Sequence, residues 1–267
     1  VDFVHANLRW RIEDQAMSIT VHQFACLADN YGFLVRDDAS GLVACIDTPD
    51  ADAVLDELDC LGWSLAYIFN THWHPDHAGG NAAIKAKTGA LVIAPPEVER
   101  MSAIDRVMAS GDTVDLGETR FEVIGTGGHT LGHIIYYSPQ AGVVFVGDTL
   151  FPMGCGRLFE GTAAQMWDSL TRIAALPPET TVYSAHEYTL ANARFALSVD
   201  KDQAVAARAL VVAQARDRGE PTVPTTIAEE RATNPFLRAP LLLGEAGRAD
   251  PIAAFARIRA AKDVFAG

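Results

Sequence analysis

Three of the chain's eight histidines fall in one seven-residue string, THWHPDH, at residues 71–77. His72 and His74 are two residues apart, so they would diverge on a helix but share a side in an extended loop. Asp76 and His77 follow, as the chain turns toward a helical stretch at 79–87. The string directly follows the apolar run LAYIF, at the end of an expected strand, where binding loops commonly sit. Three further signals join it. His129 lies in the glycine-rich TGGHTLGH (126–133), Asp148 ends the apolar strand VVFVG, and His186 in AHEYT follows the strand TVYSA. An ionised carboxylate at the mouth of an apolar strand needs a cation or several donors. His133 begins a strand, so a packing or supporting role is expected of it. The set His72, His74, Asp76, His77, His129, Asp148 and His186 exceeds what one closed structural zinc takes. Two ions sharing Asp148 use the whole set, and paired ions about 3.5–4 Å apart support hydrolysis through a bridging hydroxide.

The elements that must hold these residues are short. ITVHQF, YGFLVR, LVACID, LAYIF, ALVIA, FEVIGT, HIIYYS, VVFVG and TVYSA have the length and composition of strands. Between them ADAVLDELDCLG and NAAIKAKTG read as helices ending at Gly62 and Gly89, and TAAQMWDSLTRIAAL as a helix before Pro177 and Pro178. Many strands with few helices predict packed sheets flanked by helices, an α+β fold. After about residue 187 the pattern turns helical, with segments at 200–218, 228–232 and 251–265. The expected organisation is a polar leader or appended extension (1–16), a metal-binding catalytic domain (17–186) and a helical substrate-binding domain (187–267). The folded chain is expected to begin near Met17.

The 267 residues are 49% hydrophobic and 21% charged, a globular mixture. A net charge of -13 opposes general nucleic-acid binding, and no apolar run approaches the roughly 18 residues of a membrane span. The first sixteen residues, with Asp2, Arg9, Arg11, Glu13 and Asp14, lack the apolar core of a secretory signal. Cys26, Cys45, Cys60 and Cys155 form no close pair and read as free thiols. A cytoplasmic monomer is expected, with no nucleic-acid or membrane partner.

THWHPDH, the glycine-flanked His129, and Asp148 and His186 after strands resemble, in that order, the metallo-β-lactamase superfamily. The resemblance implies an αββα sandwich with two metals at one edge. His72, His74 and His129 would bind the first metal, Asp76, His77 and His186 the second, and Asp148 would bridge them. DNYGFLV (29–35), GDTLFPMGCGRLFEGT (147–162), AHEYTLANARFA (185–196), GEPTVPTTIAEERATNPFLR (219–238) and the final RAAKDVF are similar to the glyoxalase II, or hydroxyacylglutathione hydrolase, family. That family hydrolyses S-D-lactoylglutathione to D-lactate and glutathione in methylglyoxal detoxification. By the same resemblance Arg157, Phe159, Tyr188, Arg259 and Lys262 would contact glutathione. Phe159 lacks the hydroxyl of the tyrosine some members carry there, and Gly127 replaces the proline often found before the loop's histidine.

The implied reaction is attack of a metal-bridging hydroxide on the thioester carbonyl, with Asp76 and Asp148 tuning it as ligands. A thiolate leaving group, whose conjugate acid has a pKa of about 8.5, needs little protonation. Zinc is the first expectation for the two divalent ions, with iron or manganese as alternatives. The last helix agrees independently. At 100° per residue Arg259 and Lys262 lie about 60° apart on a stripe with Phe255, a costly place for cations without an anion. The rival expectation is a glutathione persulfide dioxygenase of the same superfamily, holding one iron on His72, His129 and Asp148.

Overall fold

The structure, a computed structural model, describes residues 19–266. The expected start near Met17 lies outside the described residues. The first strands are β1 (Ile19–Cys26), β2 (Asn30–Asp37), β3 (Val43–Ile46), β4 (Leu65–Phe69), β5 (Leu91–Ala94) and β6 (Arg106–Val107). They form one sheet in that order, antiparallel from β1 to β3 and parallel from β3 to β6. Next come β7 (Thr113–Leu116), β8 (Thr119–Gly125), β9 (Ile134–Ser138) and β10 (Val143–Gly147). A separate two-stranded hairpin follows, β11 (Leu150–Phe151) and β12 (Gly154–Cys155), and then β13 (Thr181–Ser184) and β14 (Thr225–Thr226). The second sheet is ordered β14-β13-β10-β9-β8-β7, with β10 and β13 parallel.

Alternation along the strands divides the core into layers. In β2, Phe33 and Val35 face the other sheet and share a core with its Phe121 and Phe145 and with Phe69 of β4, while Leu34 faces outward. On that outer side Leu34, Ile68 and Val92 pack under α1 (Ala51–Leu61) and α3 (Asn81–Thr88) through Val54, Leu58 and Ile84. The single turn α2 (Pro75–Ala78) lies between them in sequence. Val144, Val146 and Val182 of the second sheet pack under Met166, Leu170 and Ile173 of α4 (Ala163–Ala174). The result is helix, sheet, sheet, helix, the αββα sandwich that the resemblance implies.

Six further helices lie among the described residues: α5 (Thr189–Val199), α6 (Gln203–Asp217), α7 (Ile227–Thr233), α8 (Ala239–Leu242), α9 (Gly244–Ala249) and α10 (Pro251–Asp263). Their buried Phe195, Ile227 and Phe255, with Phe236 of the turn between α7 and α8, join the cluster on the outer face of the second sheet. The helix ends follow their capping residues. Asp50 accepts from the amides of Asp52 and Ala53 to start α1, and Gly62, at φ 64°, ends it in the left-handed conformation. The expected strands are all present. The two-residue strands β6, β11, β12 and β14 have no period to read, and α5, whose apolar and small residues are spread around its axis, has little.

Candidate metal centre

The ligand-bearing loops leave both sheets at the same end. After β4 the chain bends at Thr71 and runs without regular structure to His74, the N-cap position of α2, with Pro75 at the helix's first position. The amide of Ile134, at the start of β9, donates to the carbonyl of Thr71, tying this loop to the second sheet. His129 comes from the loop between β8 and β9, Asp148 follows β10, and His186 follows β13.

These loops bring all seven expected ligands together. The donor atoms of His72, His74 and His129 lie within 4.8 Å of one another, as do those of Asp76, His77 and His186. In the first trio, Nδ1 of His74 is 3.0 Å from Nε2 of both His72 and His129. Asp148 stands between the trios. Its Oδ2 is 3.3 Å from Nε2 of His129, and its Oδ1 is 3.3 Å from Nε2 of both His77 and His186. Oδ1 is buried and makes no hydrogen bond. A buried carboxylate oxygen without a donor, facing two imidazole nitrogens, is what a cation would satisfy. Five imidazoles and two carboxylates suit a divalent metal such as zinc, iron or manganese.

The outer nitrogens of four rings are fixed by acceptors, which turns the other nitrogen inward. Nδ1 of His77 donates to Asp47 Oδ2 (2.8 Å), that of His186 to Asp29 Oδ1 (2.9 Å) and that of His129 to the carbonyl of Arg157 (2.9 Å). The hydroxyl of Thr71 donates to Asp47 Oδ2, so His72 Nδ1, 3.0 Å away, donates to that hydroxyl. Asp47 therefore orients one histidine of each trio. It adopts φ 57°, held there as its Oδ1 accepts from the amide of Thr71. Asp47 carries no motif of its own, although it ends the strand LVACID just as Asp148 ends VVFVG. Glu97 and Glu160, equally without a motif, hold the loop after His129. Glu97 accepts from the Thr130 hydroxyl and the Gly132 amide, and Glu160 accepts from the Leu131 amide. His133 lies behind the ligands, where its Nε2 accepts from the amide of Asp148.

Burial pushes His72 and His133 well below the usual imidazole value, and lowers His74 and His129. Burial acts the same way on His77 and His186, yet Asp148, with Asp47 behind one and Asp29 behind the other, raises both. Asp148 is in turn kept ionised, well below the carboxylate range despite its burial, by His77 and His186.

Beside the centre lies a cavity of about 440 Å³. Its wall includes His129 and Asp148 at one end and Arg157, Phe159, Tyr188, Arg259 and Lys262 around the rest. The ring of Tyr188 stacks on His186 at 4.7 Å, and Phe159 is exposed, edge-on to His74 and His129. The two helix cations differ. Arg259 is buried and already bonded, to Asp263 Oδ1 (2.8 Å) and the carbonyl of Cys155 (3.0 Å). Its partner is thus on its own helix. Lys262 gives one hydrogen bond to the carbonyl of Ala191 and has no paired carboxylate among the described residues.

Fold and centre together define a metallo-β-lactamase superfamily protein, and the model of that superfamily matches residues 42–186. The model of the hydroxyacylglutathione hydrolase C-terminus matches residues 187–265. A hydroxyacylglutathione hydrolase of Erythrobacter litoralis is 55% identical over 92% of this chain and all of its own, and one of Maricaulis maris is 54% identical over 92% and 99%. The chain belongs to the hydroxyacylglutathione hydrolase family, glyoxalase II. Among solved structures, ETHE1 from Myxococcus xanthus superposes with a TM-score of 0.68 at 28% identity, covering 92% of each chain.

Proposed function

We propose that the protein hydrolyses S-D-lactoylglutathione to D-lactate and glutathione, using two divalent metals. The carrying observation is the split environment of Asp148, with one oxygen toward His129 and the other toward His77 and His186. On this reading His72, His74 and His129 would hold one ion and Asp76, His77 and His186 the other, with Asp148 available to both. When bound, the ions supply Lewis-acid polarisation of a carbonyl and a water of lowered pKa.

The chain's own residues do the rest. The cavity beside the centre has room for a tripeptide arm, and Lys262 and Arg157 place positive charge where glutathione carries carboxylates. Tyr188, its hydroxyl held protonated by burial and by Asp29, is a donor for the peptide. These contacts fix the thioester against the end of the cavity formed by His129 and Asp148. A thiolate departs without a dedicated acid. Asp76 and Asp148 act as ligands rather than free bases. Residues 17–186 would then carry the centre and 187–267 the substrate-binding helices, in a cytoplasmic monomer with zinc as the first choice of metal. The match of the C-terminal family model, together with the lysine on α10, favours this hydrolase over the single-iron dioxygenase.

The test is loss of thioester absorbance from S-D-lactoylglutathione on protein whose metal content has been counted. Turnover with about two metals per chain is expected. No hydrolysis, with a single iron and oxygen uptake on glutathione persulfide, would overturn it.

A further inference from the structure

The hairpin of β11 and β12 belongs to neither large sheet. A lone two-stranded hairpin is marginal by itself, so its position must be set from outside. It matters because its flanks are part of the metal centre. Asp148 lies two residues before it, and the carbonyl of Arg157, two residues after it, fixes Nδ1 of His129. The two flanks also touch: Gly156 donates to the carbonyl of Thr149, and a Cβ there would lie 2.0 Å from the carbonyl oxygen of Asp148 and 3.2 Å from Nδ1 of His129.

Each of the five residues 151–155 has a backbone polar group held by a side chain of the helical tail. Asn234, which caps α7, donates to the carbonyls of Phe151 (3.2 Å) and Gly154 (2.9 Å). Asn192 of α5 donates to the carbonyl of Pro152 at 3.2 Å. Glu230 of α7 accepts from the amide of Met153 at 2.9 Å, and Arg259 of α10 donates to the carbonyl of Cys155 at 3.0 Å. Met153 is at φ 57°, a conformation a methionine keeps only under constraint. Glu230 and Asn234 are fully buried. The glutamate is balanced by Arg208 of α6 at 2.5 Å and by the Thr225 hydroxyl, and Asn234 also donates to it. A charged network of this kind is expensive to bury, and its shape matches the hairpin backbone group by group.

We propose that Asn234, Glu230 and Asn192 are positioning residues for the metal centre: by clamping the hairpin, the tail sets where Asp148 stands and how His129 is turned. The tail thus governs metal binding as well as binding substrate. The inference rests on the metal assignment above.

Cobalt-loaded holoprotein tests it, because the visible absorption of cobalt reports ligand geometry in the absence of substrate. Asn234→Ala is expected to shift that spectrum and to release metal to a competing chelator at about tenfold lower chelator concentration, the usual scale for an outer-shell loss. Val54→Ala, which removes buried volume under the first sheet, is the matched control. It is expected to lower the melting temperature and leave spectrum and release unchanged. If Asn234→Ala changes metal release no more than Val54→Ala does, the proposal is overturned. Should Asn234→Ala not fold, Asn192→Ala removes a single donor and carries the test: a smaller shift in the same direction supports the proposal, and an unchanged spectrum overturns it. Wild-type protein that takes up no cobalt would instead overturn the metal assignment.

Discussion

Asp47 Oδ2 lies 2.8 Å behind Nδ1 of His77, on the side of the ring away from the metal centre. The same oxygen accepts from Thr71, which orients His72, so one carboxylate serves both trios. Asp47→Ala is expected to weaken retention of both metals by about 10- to 100-fold. Chelator titration of purified protein checks this; loss of one metal alone would contradict the shared role.

Asp148→Ala should remove metal and activity together, since neither trio has another carboxylate that reaches the other. Metal analysis alongside the thioester assay reads both. Retention of two metals would refute a bridging Asp148.

The cations of α10 should separate in kinetics. Lys262 has no carboxylate partner among the described residues and its pKa is lowered by burial and by Arg259, so a substrate carboxylate would be a welcome partner. Lys262→Ala is expected to raise KM about tenfold with kcat changed little, because the contact is remote from the reacting carbonyl. Arg259 is bonded within the protein, so Arg259→Ala should also lower the melting temperature. Equal thermal losses in the two variants would argue against that difference.

Gly156→Ala places a methyl group against the backbone of Asp148. A shift of that backbone carries the ligand with it, at a cost of about 3 kcal/mol. Thermal unfolding and metal content should fall together.

A pH-dependent contribution sits far from the centre. Burial alone would raise the pKa of Asp37, but hydrogen bonds from Ser40 and Thr119 outweigh it and hold the carboxyl below its usual range. A lowered folded pKa stabilises above the unfolded value and is lost as pH falls through the folded one. Asp37→Asn should therefore cost about 1–3 kcal/mol at pH 7 and progressively less below about pH 4. Denaturant unfolding across that range tests the sign; a gap that widens on acidification would reverse it.

Much of this architecture can be read from the chain itself, for reasons that differ by element. The long strands announce themselves because each buries one or both faces, as in YGFLVR, where Phe33 and Val35 serve one core and Leu34 another. The ligands are legible because histidine is scarce and three crowd into THWHPDH. Asp47 is harder to see, since its function comes from contacts with residues 24 and 30 positions away. The pairing of Arg259 with Asp263 was within reach of helical spacing, four residues on, but the expected pairing was with an outside anion. The hairpin clamp is invisible in any one segment, because it joins backbone groups of one region to side chains of three distant helices.

The division of the ligands between sheets carries one more consequence. His72, His74, Asp76 and His77 follow a strand of the first sheet, while His129, Asp148 and His186 come from the second. Neither half encodes a complete coordination shell for either ion. On the proposed assignment each ion would close a loop between residues distant in the chain, His74 to His129 in one case and His77 to His186 in the other. Metal capture would then follow docking of the two halves and, once complete, cross-link them.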